Sequence, residues 1–522
     1  MFAFDAIHTV ADIPRHQART QPERTAQIFE GRETTYAALD RHVNRVAQGL
    51  LASGCPPQAR IAYLGKNSDH YFEVLLGAIK ARLVMVAVNW RLAVPEMTWI
   101  LDDAGCELLF VGPEYKDCIE ALRAACPRLR EVFLMEGESS GALSYTRWRD
   151  DQATHDPSLP IALEDDVLQL YTSGTTGHPK GVQLTHANYL ALFRCAENTG
   201  MMDAVPGESG LVAMPVFHVA GTNIGLLNLA QGATSVVLRE VDPGLILELI
   251  PRYRINHVFV VPAVILFLLQ HPRCRETDFS SVRRLSYGAS PIAEPLLRQA
   301  QAVFDCPFIQ LYGLTETCGA GTFLPPEAHA PERAKLRSCG IPYPGIEIRV
   351  VDSAGNSVPA GEVGEIIVRS GVVMKGYWNR PDATTQAIID DWFHTGDAGY
   401  FDEEGFLFIH DRLKDMIVSG GENIYPAEVE NALFGHPAVA DVAVVGVPDE
   451  KWGEGVKAFV VLKPGQTTTA EDIIEFARTC IAGYKIPRSV DFIAALPRNP
   501  SGKILRRELR APYWEGKTRQ VN

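Results

Sequence analysis

Short apolar runs alternate with amphipathic stretches along most of the chain. Residues 61–64, 83–88, 108–111, 211–214 and 258–261 are continuous apolar runs of strand length. Residues 37–51 and 71–81 repeat their apolar positions every three to four residues, the period of a helix packed along one face. Strands that are apolar on both faces, separated by helices, predict parallel sheets covered by helices on each side. The longest apolar run, 258–269, is broken by Pro262. Twelve residues do not span a bilayer, so this run predicts a buried strand followed by the start of a helix.

The texture changes near Ile346. Runs 346–351 and 364–368 are separated by turn residues Gly355, Pro359 and Gly361, and 400–409 predicts a hairpin around Glu403-Glu404-Gly405. This is a smaller, mostly antiparallel β subdomain. It changes again after Asp411. The charged link Arg412-Leu413-Lys414-Asp415 leads into a compact α+β unit, with helices at 427–434 and 470–481 and strands at 439–447, 456–462 and 490–494. The expected fold class is therefore α/β. A large N-terminal domain, 1–411, holds two α/β subdomains with parallel-rich sheets and the β subdomain. A small α+β domain, 416–522, follows the link 412–415. No internal repeat or low-complexity tract interrupts this order.

Composition narrows the function. With 46% hydrophobic and 21% charged residues over 522 positions, the chain can bury a large core, which excludes a disordered protein or a disulfide-stapled miniprotein. Its net charge of −14 excludes broad nucleic-acid binding, which needs a basic face. An anionic ligand would need cations gathered locally. Residues 1–10 lack the basic flank and apolar run of a signal peptide, and no stretch reads as a membrane span. The ten cysteines show no C-x-x-C spacing and read as reduced thiols. The expected location is the cytoplasm.

The richest chemistry lies after the apolar strand 167–171. Thr172, Ser173, Gly174, Thr175, Thr176 and Gly177 lead to His178, Pro179, Lys180 and Gly181. Glycines let backbone N–H groups close on a ligand, hydroxyls donate to phosphate oxygens, and Lys180 supplies a cation. The spacing is not that of a P-loop. Alone, such a loop equally suits a hydroxyl-rich surface. Four more segments accompany it: Gln310-Leu311-Tyr312-Gly313-Leu314-Thr315-Glu316-Thr317, Trp392 to Asp397, Met416 to Pro426, and Pro497 to Lys503.

Together, in this order, the five segments resemble the adenylate-forming superfamily of acyl-CoA synthetases, aryl-CoA ligases, luciferase and peptide-synthetase adenylation domains. The resemblance runs from about residue 20 to 510 and is strongest to bacterial fatty-acyl-CoA synthetases. It implies a reaction in two steps. A carboxylate attacks the α-phosphate of ATP to give an acyl-adenylate, and the thiol of coenzyme A then displaces AMP. The implied cofactors are ATP, Mg²⁺ and coenzyme A. Glu316 would hold the magnesium, with Thr172 and Thr315 at the phosphates. Asp397 and Arg412 would hold the ribose. Gly288-Ala289-Ser290 and Tyr312 would pack on adenine. Lys503 would reach into the site during adenylation. Lys414 would be the hinge about which the C-terminal domain turns, bringing Gly420, Gly421 and Glu422 to the pantetheine arm. In Pro215–Gly221, His218 would stand beside the carboxylate. Val219, Ala220, Val264, Gly288, Leu311, Gly313, Cys318 and Gly319 would line an apolar acyl pocket, and a bulkier residue at Gly319 would shorten the accepted acid.

The substrate expected is an apolar monocarboxylic acid, medium- or long-chain fatty, with aryl or phenylpropenoid acids as the alternative and carrier-protein loading as the alternative of another class. The stretch 485–522 holds nine basic and three acidic residues, which suits a phosphate-facing, a membrane-facing or a merely solvated surface. Peripheral membrane contact and homodimerisation stay open.

Overall fold

The computed structural model describes residues 4–172, 179–197, 199–205, 207–412, 415–419, 422–449, 451–498 and 503–515. Its layers follow from alternation along the strands. In the strand Arg60–Leu64, Ile61 and Tyr63 enter one core with Val43, Val46 and Leu75, while Ala62 and Leu64 enter another with Ile100, Leu101 and Leu109. Successive strand residues face opposite sides, so an unbroken apolar run is what a doubly covered strand requires. The same division recurs in the other large sheet. Val212 and Val237 join the first core, whereas Leu211 and Val236 join a third with Ile246 and Leu297.

The first core is thus shared between two sheets. One has eight strands, in the order 376–377, 180–185, 166–172, 84–88, 60–64, 108–111, 131–134, 143–144. The other has nine, in the order 341–342, 322–324, 308–312, 284–288, 257–260, 209–212, 234–237, 25–29, 32–35. Their central strands pair in parallel, with antiparallel pairs at the margins. Between the sheets lies the helix Asp69–Lys80, all of whose residues are buried. Ser68 caps it by accepting from the His70 N–H. Its last residue, Lys80, is fully buried. The Nζ donates to Asp40 Oδ1 (2.7 Å), Asn44 Oδ1 (2.6 Å) and Asp156 Oδ2 (2.7 Å), which satisfies the ammonium completely.

The β subdomain is antiparallel, as its turn-separated runs predict, with Glu347–Val351, Gly364–Arg369, Trp392–Phe401 and Leu407–Arg412 paired in turn. Glu403 to Gly405 form the hairpin loop. The C-terminal unit has its own sheet, whose long strand Val439–Asp449 sends Val442 and Val444 to one core and Ala443 and Val445 to another. It meets the N-terminal domain through Phe434, which packs on the outer core of the nine-stranded sheet, and through Asn431 Oδ1, which accepts from the Glu294 N–H at 3.2 Å. One element has no signal in the pattern. The two-residue strand Gly376–Tyr377 pairs with Lys180–Thr185 at the edge of the eight-stranded sheet. Among the described residues no helix is long and apolar enough to cross a membrane.

Candidate active site

In parallel α/β sheets ligands bind beyond the carboxyl ends of the strands. Here those ends of the two large sheets meet. Thr172 closes the strand Asp166–Thr172 of one sheet, and Glu316 lies in the short 3₁₀ turn Thr315–Thr317 that follows Phe308–Tyr312 of the other. The Thr172 hydroxyl donates to Glu316 Oε1 at 3.5 Å, and the Tyr377 hydroxyl donates to the same oxygen at 3.0 Å. The Met374 N–H fixes the Glu316 backbone by donating to its carbonyl at 2.7 Å. Lys180 stands over the Tyr377 ring, 4.9 Å from its centroid, and is the register partner of Thr172. Thr172, Glu316 and Tyr377 therefore form one cluster of oxygens with the cation Lys180 beside it.

A second pair flanks the first. The Tyr312 hydroxyl donates to Asp397 Oδ2 at 2.7 Å, and Asp397 is 4% exposed. Its N–H donates to Thr395 Oγ1, and its register partner in the β subdomain is Arg412. Gly288 ends the strand Arg284–Gly288 opposite Leu311, and Ala289 and Ser290 follow it, both half-buried. The hydroxyl, carboxylate and ring groups expected around a nucleotide thus lie along one rim. Ser173, Gly174, Thr175, Thr176, Gly177, Lys414, Gly420 and Gly421 lie outside the described residues, and Glu422 opens the strand Glu422–Ile424.

His218 occupies the N-cap position of the helix Val219–Gln231 without a capping hydrogen bond from its side chain, and its ring lies 4.5 Å from that of Phe217. Its Nε2 is sealed from solvent with no hydrogen-bond partner among the described residues. Burial, helped by the charges of Lys503 and Arg91, pushes its pKa down to about 3. The imidazole is therefore neutral at pH 7, and Lys503, from the C-terminal domain, carries positive charge towards it. Of the expected acyl wall, Val264 and Cys318 are buried while Val219, Ala220 and Leu311 are partly exposed.

The expectation for Gly319 is corrected. Its φ is +80°, a conformation that side chains rarely adopt, so a leucine there would strain the backbone whatever the space. A Cβ at Gly313 would lie 2.4 Å from the carbonyl carbon and oxygen of Gly319. Gly313 is closed in by main chain and Gly319 is held by its φ, so substituting either does not simply fill a channel. Sequence reasoning also missed Tyr377 and Arg91. Tyr377 sits on a strand too short for any periodicity. Arg91 reads as an ordinary loop cation.

The description "AMP-binding enzyme" matches residues 14–378, and "AMP-binding enzyme C-terminal domain" matches residues 428–503. A fatty acid–[acyl-carrier-protein] ligase of Streptomyces coeruleorubidus is 43% identical over 99% of this chain and 98% of its own. A feruloyl-CoA synthase of an Amycolatopsis species is 42% identical over 96% and 98%. Among solved structures, a fatty acyl CoA synthetase of Mycobacterium tuberculosis superposes with a TM-score of 0.77 at 34% identity, covering 98% of this chain and 99% of that one. With its large domain, its small C-terminal domain and a rim of oxygens where the two sheets meet, the chain belongs to the AMP-binding enzyme family, the adenylate-forming acid–thiol ligases.

Proposed function

We propose that the protein activates an apolar monocarboxylic acid, a medium- or long-chain fatty acid, as its acyl-adenylate and transfers the acyl group to the thiol of coenzyme A. The observation that carries this reading is the convergence of Thr172 and Tyr377 on one oxygen of Glu316, at the meeting of the two sheets and next to Lys180. A carboxylate with neighbouring hydroxyls is a donor set of hard oxygens and fits magnesium. Glu316 would hold the ion together with phosphate oxygens, and the bound ion would offset negative charge on the phosphates.

The chain's own groups then divide the work. Lys180 and the hydroxyl of Thr172 bind phosphate, while Asp397 accepts from the ribose hydroxyls beside the Tyr312 ring. Lys503 approaches the meeting point of carboxylate and α-phosphate, where a cation stabilises the charge that gathers as the acid's oxygen attacks phosphorus and pyrophosphate leaves. Neutral His218 borders the acid without adding charge. In the second step the thiol sulfur attacks the acyl carbon and AMP departs. The apolar wall supports an acid without a second carboxylate.

A second acceptor has a specific observation in its favour. The 43% identical relative is named for loading a carrier protein, whose thiol is also carried on a pantetheine arm. The test is a panel of fatty and aryl acids assayed for AMP release with no acceptor, with coenzyme A and with a phosphopantetheinylated carrier protein. Fast turnover with fatty acids and coenzyme A is expected. Turnover with aryl acids alone would overturn the acid assigned, and turnover only with the carrier protein would overturn the acceptor.

A further inference from the structure

Residues 213–218, between the strand Ser209–Val212 and the helix Val219–Gln231, belong to no helix or strand. Yet Ala213, Met214, Val216 and Phe217 are all buried. Buried backbone groups need partners, and this segment has no ladder to supply them. One side chain from beyond a strand of the other sheet meets three of them. Asn67, in the turn after Arg60–Leu64, is 2% exposed. Its Nδ2 donates to the carbonyls of Met214 at 3.0 Å and Ala213 at 3.4 Å, and its Oδ1 accepts from the Val216 N–H at 2.9 Å. A carboxamide offers a planar N–H donor and C=O acceptor together, as a peptide group does. Asn67 therefore stands in for a strand neighbour.

Residue 67 is itself fixed, its N–H donating to the Arg239 carbonyl at 3.0 Å, just beyond the strand Thr234–Val237. From the opposite side Thr222 Oγ1 donates to the Val216 carbonyl at 2.8 Å, and the Tyr71 hydroxyl bonds that Oγ1 at 2.8 Å. The His218 N–H then closes onto the Pro215 carbonyl at 3.1 Å. Every step from Asn67 to the His218 backbone is thus a hydrogen bond or one peptide link within a closed core.

We propose that Asn67 is a positioning residue for the acid. By pairing with the 213–216 backbone across the two sheets, it sets where His218 stands against the carboxylate. The inference rests on the reading of His218 as a neighbour of the acid. Misplacing a neighbouring group by about 1 Å costs on the order of 10²-fold in rate.

Asn67→Asp keeps the shape and the acceptor but sets an oxygen against the Ala213 and Met214 carbonyls. It is expected to raise the KM for the acid about tenfold or more in pyrophosphate release, with the KM for ATP within about twofold. Thr222→Val loosens the same segment from the other side and should give the same signature, smaller; it carries the test if Asn67→Asp does not fold. In the double variant with His218→Ala, the two effects should be clearly less than additive, since both act through one side chain. A lowered melting temperature with unchanged kinetic constants, equal rises in both KM values, or full additivity would overturn the inference. If His218→Ala alone leaves the acid kinetics untouched, the placement of His218 fails instead, and the two failures are distinguished.

Discussion

A neutral histidine next to a lysine divides the labour of charge between two side chains. Burial holds His218 uncharged, so positive charge on this side comes from its cationic neighbours Lys503 and Arg91, of which Lys503 is the one proposed to meet the carboxylate and phosphate. Lys503→Ala should slow adenylate formation by about 10²–10³ while largely sparing thioester formation from supplied acyl-adenylate. Equal damage to both half-reactions, measured separately, would remove Lys503 from the first step. A second buried histidine sets a pH limit on the fold. His186 Nδ1 accepts from the Val10 N–H at 3.0 Å, and burial lowers its pKa to about 4. The unfolded chain, near 6.5, takes up a proton that the folded one refuses. The stability it contributes is complete above about pH 6.5 and lost as pH falls through 4, up to about 3 kcal/mol. Asn offers an acceptor in a similar place and does not titrate. His186→Asn should therefore flatten the decline of melting temperature between pH 6.5 and 4, and an unaltered slope would assign that decline to other groups such as His329, which burial also holds down to about 4.

At the scale of elements, the proposed acyl wall has two kinds of small residue. Gly313 is small because the backbone of Gly319 and Ala320 passes close to it, and Gly319 because its φ is positive. Ala220 sits in the first turn of the helix Val219–Gln231, partly exposed and packed against the outer core of the nine-stranded sheet. Enlarging the two kinds should have different consequences. Ala220→Leu should lower kcat/KM for long acids more than for short ones, by about 1–3 kcal/mol per methylene excluded, with stability little changed. Gly313→Ala should reduce stability and impair all acids alike, because its methyl meets main chain that cannot yield. A uniform loss in Ala220→Leu across a series of acid lengths would place the acyl body elsewhere.

At the scale of the molecule, one rim must serve two chemistries. The described arrangement brings the field of Lys503 onto His218 and seats Phe434 and Asn431 against the N-terminal domain. The resemblance implies that the thioester step uses a different face of the C-terminal domain, and the link 412–415 is where the turn is expected. Proline fixes φ and removes an N–H. Lys414→Pro should leave acid-dependent ATP–pyrophosphate exchange intact while thioester formation falls, and normal thioester turnover would put the hinge elsewhere.

The sequence by itself determined the layers, the order of domains and the reaction class. Apolar runs of strand length alternating with amphipathic stretches point to strands buried on both faces, and the five chemical segments lie within contiguous stretches such as Gln310 to Thr317. It could not place Tyr377 on the oxygen of Glu316, because the strand Gly376–Tyr377 exists only through its pairing with Lys180–Thr185. Nor could it tell glycines fixed by close main chain or by φ from those of a channel wall, since both are read as small. Asn67 and the Val216 N–H it holds are 149 positions apart, and no local pattern links them. Chemistry held within one segment is legible along the chain. Chemistry assembled between two sheets depends on the packing of Asp69–Lys80 and its neighbours between them, and only the tertiary structure decides it.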